Sequence, residues 1–98
     1  MHTCAYTISV EVEWDGRKAE ANHRKHGVRF VAAVAVLYDE HAVTIVDHRA
    51  VETRYVKVGA DTSGRILVIV YSLRGSLHRL ISARRATRRE RRRYCEGK

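Results

Sequence analysis

Between Arg79 and Thr87 the sequence reads Arg-Leu-Ile-Ser-Ala-Arg-Arg-Ala-Thr, and five more arginines follow between Arg88 and Arg93. A guanidinium group stays protonated, and its planar fork meets two phosphate oxygens at once, so arginine is the residue type for gripping a phosphate or the extra charge on a phosphorus under attack. Two further arginines, Arg54 and Arg65, sit on or beside segments with strand composition, where a regular backbone would hold them rigidly. One chemistry that these residue types could serve is metal-free cleavage at a phosphodiester, as in RNA. The ribose 2′-hydroxyl attacks the adjacent phosphorus, a base takes its proton, an acid serves the leaving 5′-oxygen, and cations absorb the charge. Arg54, Arg65 and Arg84 are the candidate phosphate and transition-state ligands, Arg84 foremost. Glu52 or His26 is the candidate base, and Tyr94 or Lys25 the candidate for orienting or protonating the leaving group. Lys25, Arg79, Arg85, Arg88 and Arg89 are candidate RNA contacts. His2, His23, His41 and His48 lack metal-ligand spacing, so we assign no metal site and no cofactor.

Each candidate has a plainer reading. Glu52 and Arg54 can be a surface ion pair. His26, just before Gly27, can be a helix-end residue facing the dipole. Tyr94, four residues after Glu90, can be packing on a short helix. Arg91, Arg92 and Arg93 can be a solvated or partner-facing surface.

The elements that must position these groups are legible in the pattern. Ile8, Val10, Val12 and Trp14 alternate with Ser9, Glu11 and Glu13, the period of a half-buried strand. Asp15 can cap a polar surface helix running to His26, with Gly27 as its stop. Phe30 to Tyr38 reads as a second helix with Phe30, Val34, Leu37 and Tyr38 on one face. Four strands follow: Ala42–Val46, Arg54–Gly59, Arg65–Ser72 and Leu77–Arg84. They are joined by turn-formers such as Asp61-Thr62-Ser63-Gly64 and Arg74-Gly75-Ser76. Short turns imply antiparallel neighbours. Arg65–Ser72, apolar on both faces, is the expected central strand. On the third strand Glu52, Arg54 and Val56 share a face; on the last, His78, Leu80, Ser82 and Arg84 do, unless a bulge intervenes. Thr87-Arg88-Arg89-Glu90 is a capping box opening a helix from Arg88 to Cys95. The order β-α-α-β-β-β-β-α makes an α+β domain with one antiparallel sheet, two N-terminal helices and a short C-terminal helix. At 98 residues the whole chain is expected to be a single domain.

Composition bounds the partners. Against 11 Asp and Glu stand 19 Lys and Arg, a net charge of +8, which calls for a polyanion: nucleic acid, an acidic protein or an anionic surface. A hydrophobic content of 45% is that of a folded domain. No apolar run is long enough to span a membrane, and no signal-peptide pattern opens the chain. Cys4 and Cys95 read as free thiols in a reducing cytoplasm, with a terminus-to-terminus disulfide as the lesser alternative.

Several segments together resemble the BrnT toxin family within the RelE-like ribonuclease superfamily. They are Glu13-Trp14-Asp15, Lys18 through Asn22, Lys25-His26-Gly27-Val28 with Phe30, Glu52-Thr53-Arg54-Tyr55, Gly59, Gly64-Arg65 with Leu67, and Tyr71. The last is Arg79 through Arg84 with Ala86-Thr87, Glu90 and Tyr94. Arg29 and Ala32 depart from the family pattern, which has a small polar cap and a downstream acid at the second helix. The resemblance implies a compact RelE-like fold and a ribonuclease that arrests translation. It also implies neutralisation by a DNA-binding, BrnA-like antitoxin, so that operator DNA is reached only through the complex; no membrane partner is expected. The alternative is a catalytically degenerate homologue kept as an antitoxin-binding or nucleic-acid-binding module.

Overall fold

A computed structural model describes residues 10–49 and 51–96. Its elements are β1 (Glu11–Glu13), α1 (Gly16–His26), α2 (Phe30–Ala33), a 3₁₀ segment (Val34–Tyr38), β2 (Val43–Asp47), β3 (Arg54–Ala60), β4 (Ile66–Arg74), β5 (Leu77–Arg85) and α3 (Arg88–Glu96). The sheet order is β1-β5-β4-β3-β2, with β4 central as expected. Strands β2 to β5 are antiparallel, and β1 adds to the edge of β5 in parallel. The expected first strand from Ile8 is described only from Val10 onward, and Cys4 lies outside the described residues.

Local chemistry sets the helix ends. The Asp15 carboxylate accepts from the N–H groups of Arg17 and Lys18 at 2.8 and 3.1 Å. Gly27, at φ 70°, ends α1 in the left-handed conformation and donates to the carbonyl of His23. The second helix differs from its expected form. Arg29 offers no side-chain cap, one α-turn forms, and the chain tightens to 3₁₀. With three residues per turn, Phe30, Ala33 and Val36 line the buried side, while Tyr38 is left 54% exposed. Helix α1 is likewise not wholly a surface helix, because it buries Asn22.

The two sheet faces have different covers. On one, Leu67, Ile69, Tyr71, Leu80 and Ala83 pack beneath Val28, Phe30, Ala33 and Val36. We call this the helix face. On the other, Val58 and Val68 pack against Ala86 and Tyr94 at the α3 end, and beyond α3 no element among the described residues covers this face, which we call the open face. Gly59 lies where the 3₁₀ segment crosses the sheet. A Cβ there would stand 3.0 Å from both Ala42 Cβ and Val36 Cγ1, so a larger residue would push these neighbours apart and the close crossing favours glycine.

Tyr94 fastens α3 to the rest. Its hydroxyl donates to Asp39 Oδ2 at 2.6 Å, and Asp39 also accepts from the N–H groups of Ala60 and His41. Burial opposes ionisation of Asp39, yet those three donors hold its carboxyl below the usual range. The same bond, with burial, pushes the Tyr94 phenol up to about 12. Because the folded value exceeds the ordinary one of 10.0, this stabilisation is complete below pH 10 and lost as pH rises through about 12. Tyr94→Phe should cost about 1.5–3 kcal/mol at neutral pH, the range for a hydrogen bond to a charged group. Urea midpoints of the variant should also lack the wild type's extra decline between pH 10 and 12. Equal alkaline declines would show that the bond does not form.

Candidate active site

Strand register decides which arginines meet. Along β4 and β5 the pairs run Val68↔Arg84, Ile69↔Ala83 and Val70↔Ser82, then skip to Tyr71↔Leu80 and Ser72↔Arg79. Ile81 is therefore an extra residue on β5, a β-bulge. The bulge separates the four residues expected on one face. His78 and Leu80 go to the helix face with Ala83, while Arg79 joins Ser82 and Arg84 on the open face. An unbroken strand would have set Arg79 and Arg84 on opposite faces, because they are five residues apart.

Arg54 reaches the same open face. It lies one step beyond the Tyr55↔Tyr71 pair, so Arg54, Ser72 and Arg79 form one cross-strand row. Asp47 extends the row beside Arg54, and Glu13 closes it with a 3.0 Å ion pair to Arg79. Asp47 gives its carboxylate to Arg49, which leaves Arg54 without an ion pair among the described residues. Ser72 is fully buried in this row, and its Oγ has no hydrogen-bond partner among the described residues. Arg84 lies four β4 residues away, roughly 13 Å along the strand. Val56 and Val70 form the floor between.

The guanidinium of Arg84 is fixed. Its Nη1 and Nη2 donate to the two oxygens of Glu90 at 2.8 and 2.9 Å, and Nη1 also donates to the carbonyl of Arg85. Glu90 is at the same time the acid of the expected capping box, accepting from the N–H of Thr87 while its own N–H donates to Thr87 Oγ1. The Arg84 hydrogen bonds, against burial and with help from Thr87, hold the Glu90 carboxyl down to about 2. The bonds to Glu90 in turn raise Arg84 above its ordinary value.

Lys25 and His26 end α1 beside the edge of β5. With Lys18, Ala21, Asn22, Ile81 and Ser82 they line a hollow of about 250 Å³. Asn22 makes this juxtaposition. Its Nδ2 donates to the carbonyls of Ala83 (2.8 Å) and Val28 (3.0 Å), and its Oδ1 accepts from the N–H of Ala83 (3.1 Å). The amide thus pairs with the outer edge of β5 as a neighbouring strand would.

Other candidates go elsewhere. Arg65 and Arg85 meet Arg91 in a separate cleft at the end of β4 and β5. Arg88 and Arg89 are exposed on the first turn of α3. Glu52 precedes β3 and faces Arg74 at 4.0 Å. Tyr94 is 3% exposed, and its hydroxyl donates to Asp39. Trp14, half exposed, sets its ring edge-on to Phe30. Sequence reasoning missed Asn22, Ser72 and Ser82. Asn22 carried the only available signal, a polar residue whose burial no helix periodicity could reveal. Among the described residues no cluster of three or more His, Cys, Asp or Glu could hold a metal ion, and no helix is long and apolar enough to cross a membrane.

A family model described as the ribonuclease toxin BrnT of type II toxin–antitoxin systems matches residues 14–90. The chain belongs to the BrnT family. Among solved structures, it is similar to the crystal structure of the Brucella abortus ribonuclease toxin BrnT, with a TM-score of 0.61 and 23% identity over 82% of this chain and all of that one. That likeness concerns the fold, which is the RelE-like α+β arrangement. No curated protein matches the chain at the sequence level. The residues outside the family match include Tyr94, most of α3 and β1. Arg54, Arg79 and Arg84 of the open face lie within it, whereas Glu13, the partner of Arg79, lies just outside.

Proposed function

We propose that this BrnT-family toxin is an endoribonuclease whose open sheet face binds and cuts RNA in the cytoplasm. The observation that carries the reading is the placement of three guanidinium groups on that face from three positions of β3 and β5, two of them brought together by the Ile81 bulge. An extended single strand laid along the face would meet Arg54 and Arg79 at one phosphate and Arg84 at another. The roughly 13 Å between the rows spans about two nucleotides of an extended strand.

Between the rows, His26 on the rim is the base that takes the 2′-hydroxyl proton. The 2′-oxygen then bonds to phosphorus, and the bond from phosphorus to the 5′-oxygen breaks. The products are a 2′,3′-cyclic phosphate and a 5′-hydroxyl end, with Lys25 supplying the leaving oxygen's proton. Arg84 faces the charge that builds on the phosphorus oxygens, and its fork is preorganised by Glu90. Glu52, turned toward Arg74, is not the base in this scheme.

The partner that neutralises the toxin is a BrnA-like antitoxin, and operator DNA is contacted through that complex. An acidic segment laid over the open face would quench its charge and cover the site. Induced expression should arrest growth, and primer extension should map new RNA ends. Purified protein that binds its antitoxin but leaves RNA intact would replace this reading with a binding module.

A further inference from the structure

A second cationic site stands apart from the open face. Arg65, at the start of β4, Arg85, at the end of β5, and Arg91, on α3, line one cleft of about 190 Å³ with Gly64, Ile66 and Ala86. Arg85 and Arg91 come from the arginine-rich run and Arg65 from the turn before β4, twenty residues earlier than Arg85, so the cluster needs the fold to complete it.

Its walls are held in place. Asp61, buried in the turn before β4, accepts from Ser63 N and Oγ and from Arg65 N, all on Oδ1, while its Oδ2 takes Arg65 Nε at 2.8 Å. That fixes Arg65 through one nitrogen and leaves its two terminal nitrogens without a hydrogen-bond partner among the described residues. The Ala86 N–H donates to the carbonyl of Ile66, closing the ends of β4 and β5 against each other. Arg91 spends Nη1 on the Ala86 carbonyl, and the Arg85 side chain has no partner among the described residues. One carboxylate therefore faces three guanidinium groups. The surplus of about two positive charges is gathered around one cleft with room for a phosphate group.

We propose that this cleft is a phosphate subsite, holding one phosphate of an RNA strand beyond the part that lies on the open face. The chemistry is the same for a backbone phosphodiester and for a terminal phosphate. Arg84 and Arg85 are consecutive and point to opposite faces of β5, so a strand leaving the Arg84 position around the end of the sheet enters the cleft. An acidic protein segment is the less favoured occupant. Beside the guanidinium groups the cleft offers only Ile66 and Ala86 as apolar contacts, too little to anchor a peptide side chain.

This inference rests on the ribonuclease reading for the identity of the strand, and its test reads binding separately from cutting. Affinity for a single-stranded 12-mer RNA, with either a 5′-hydroxyl or a 5′-phosphate, is measured against salt concentration for wild type, Arg85→Ala, Arg91→Ala and the double variant. Arg17→Ala, which removes a charge from exposed α1, is the control. Each cleft variant should weaken binding, and the slope of log K against log salt should fall by about 0.7 for one lost phosphate contact on a single strand. Because both arginines share one phosphate, the double variant should lose about 0.7 in total and not about 1.4. A cleft for a terminal phosphate confines the loss to the 5′-phosphorylated RNA; a backbone subsite shows it on both.

An equal loss from Arg17→Ala would reduce the effect to net charge and overturn the subsite. So would unchanged RNA affinity in the cleft variants accompanied by weaker antitoxin binding. RNA bound through the cleft without cleavage would sink the ribonuclease reading and leave the subsite standing.

Discussion

Replacing Arg84 with alanine is expected to abolish growth arrest and to lower RNA cleavage by about 10²–10³-fold, the cost of removing one preorganised donor from a developing oxyanion. The protein should stay folded. The Arg84–Glu90 pair is part exposed, with side-chain exposures of 40% and 29%, and such pairs contribute roughly 1 kcal/mol or less. Glu90 also keeps its capping bond to the Thr87 N–H in the variant. Arg84→Lys sharpens the test, because it retains the charge and loses the fork. A site that needs two parallel hydrogen bonds should remain impaired by lysine, whereas one that needs only a positive field should recover. Cleavage rates on a mapped RNA, with thermal melts to confirm folding, check both variants. A fully toxic Arg84→Ala protein would remove Arg84 from the chemistry and shift the site toward the Arg54–Arg79 row.

The largest loss of stability is expected from Asn22→Leu. The change preserves side-chain volume, so the penalty is almost wholly polar. It strands the N–H and carbonyl of Ala83 and the carbonyl of Val28, all in a buried setting. At about 1–3 kcal/mol for each of the three buried groups left unpaired, a loss of at least about 3 kcal/mol follows, a large part of a small domain's stability. Urea unfolding should show a markedly lower midpoint. The same change should loosen α1 from β5 and displace Lys25 and His26 from Ser82, so residual folded protein should also cut RNA poorly. A midpoint within about 1 kcal/mol of wild type would mean that water replaces the amide and that Asn22 does not hold the edge.

Much of the local structure was legible because it depends on neighbours in sequence. The Asp15 cap, the Gly27 stop and the Thr87–Glu90 box each satisfy backbone groups within four residues, and each formed where the residue types required. Strand periods were equally local, so β2 to β5 fell within one or two residues of their expected bounds. The second helix was less legible. A period of three and one of 3.6 drift apart by about half a turn over nine residues, and the uncapped start left packing under the sheet to choose between them.

The candidate site divides along the same line. The arginines themselves, the capped basic helix and the excess positive charge belong to the sequence, and they were enough to call for a polyanionic partner. Their grouping did not follow from it. The bulge at Ile81 exists because β5 must match β4 on both sides of Val70, and it alone turned Arg79 to the face of Arg84. Asn22 reached sixty-one residues along the chain to bring the end of α1 beside Ser82. Arg65, Arg85 and Arg91 became one cleft only when the ends of β4 and β5 closed beneath α3. Residue type and short-range hydrogen bonding are properties of a chain read in order. Which face a side chain takes, and what stands opposite it, depends on pairings between distant segments, and only the tertiary structure settles those.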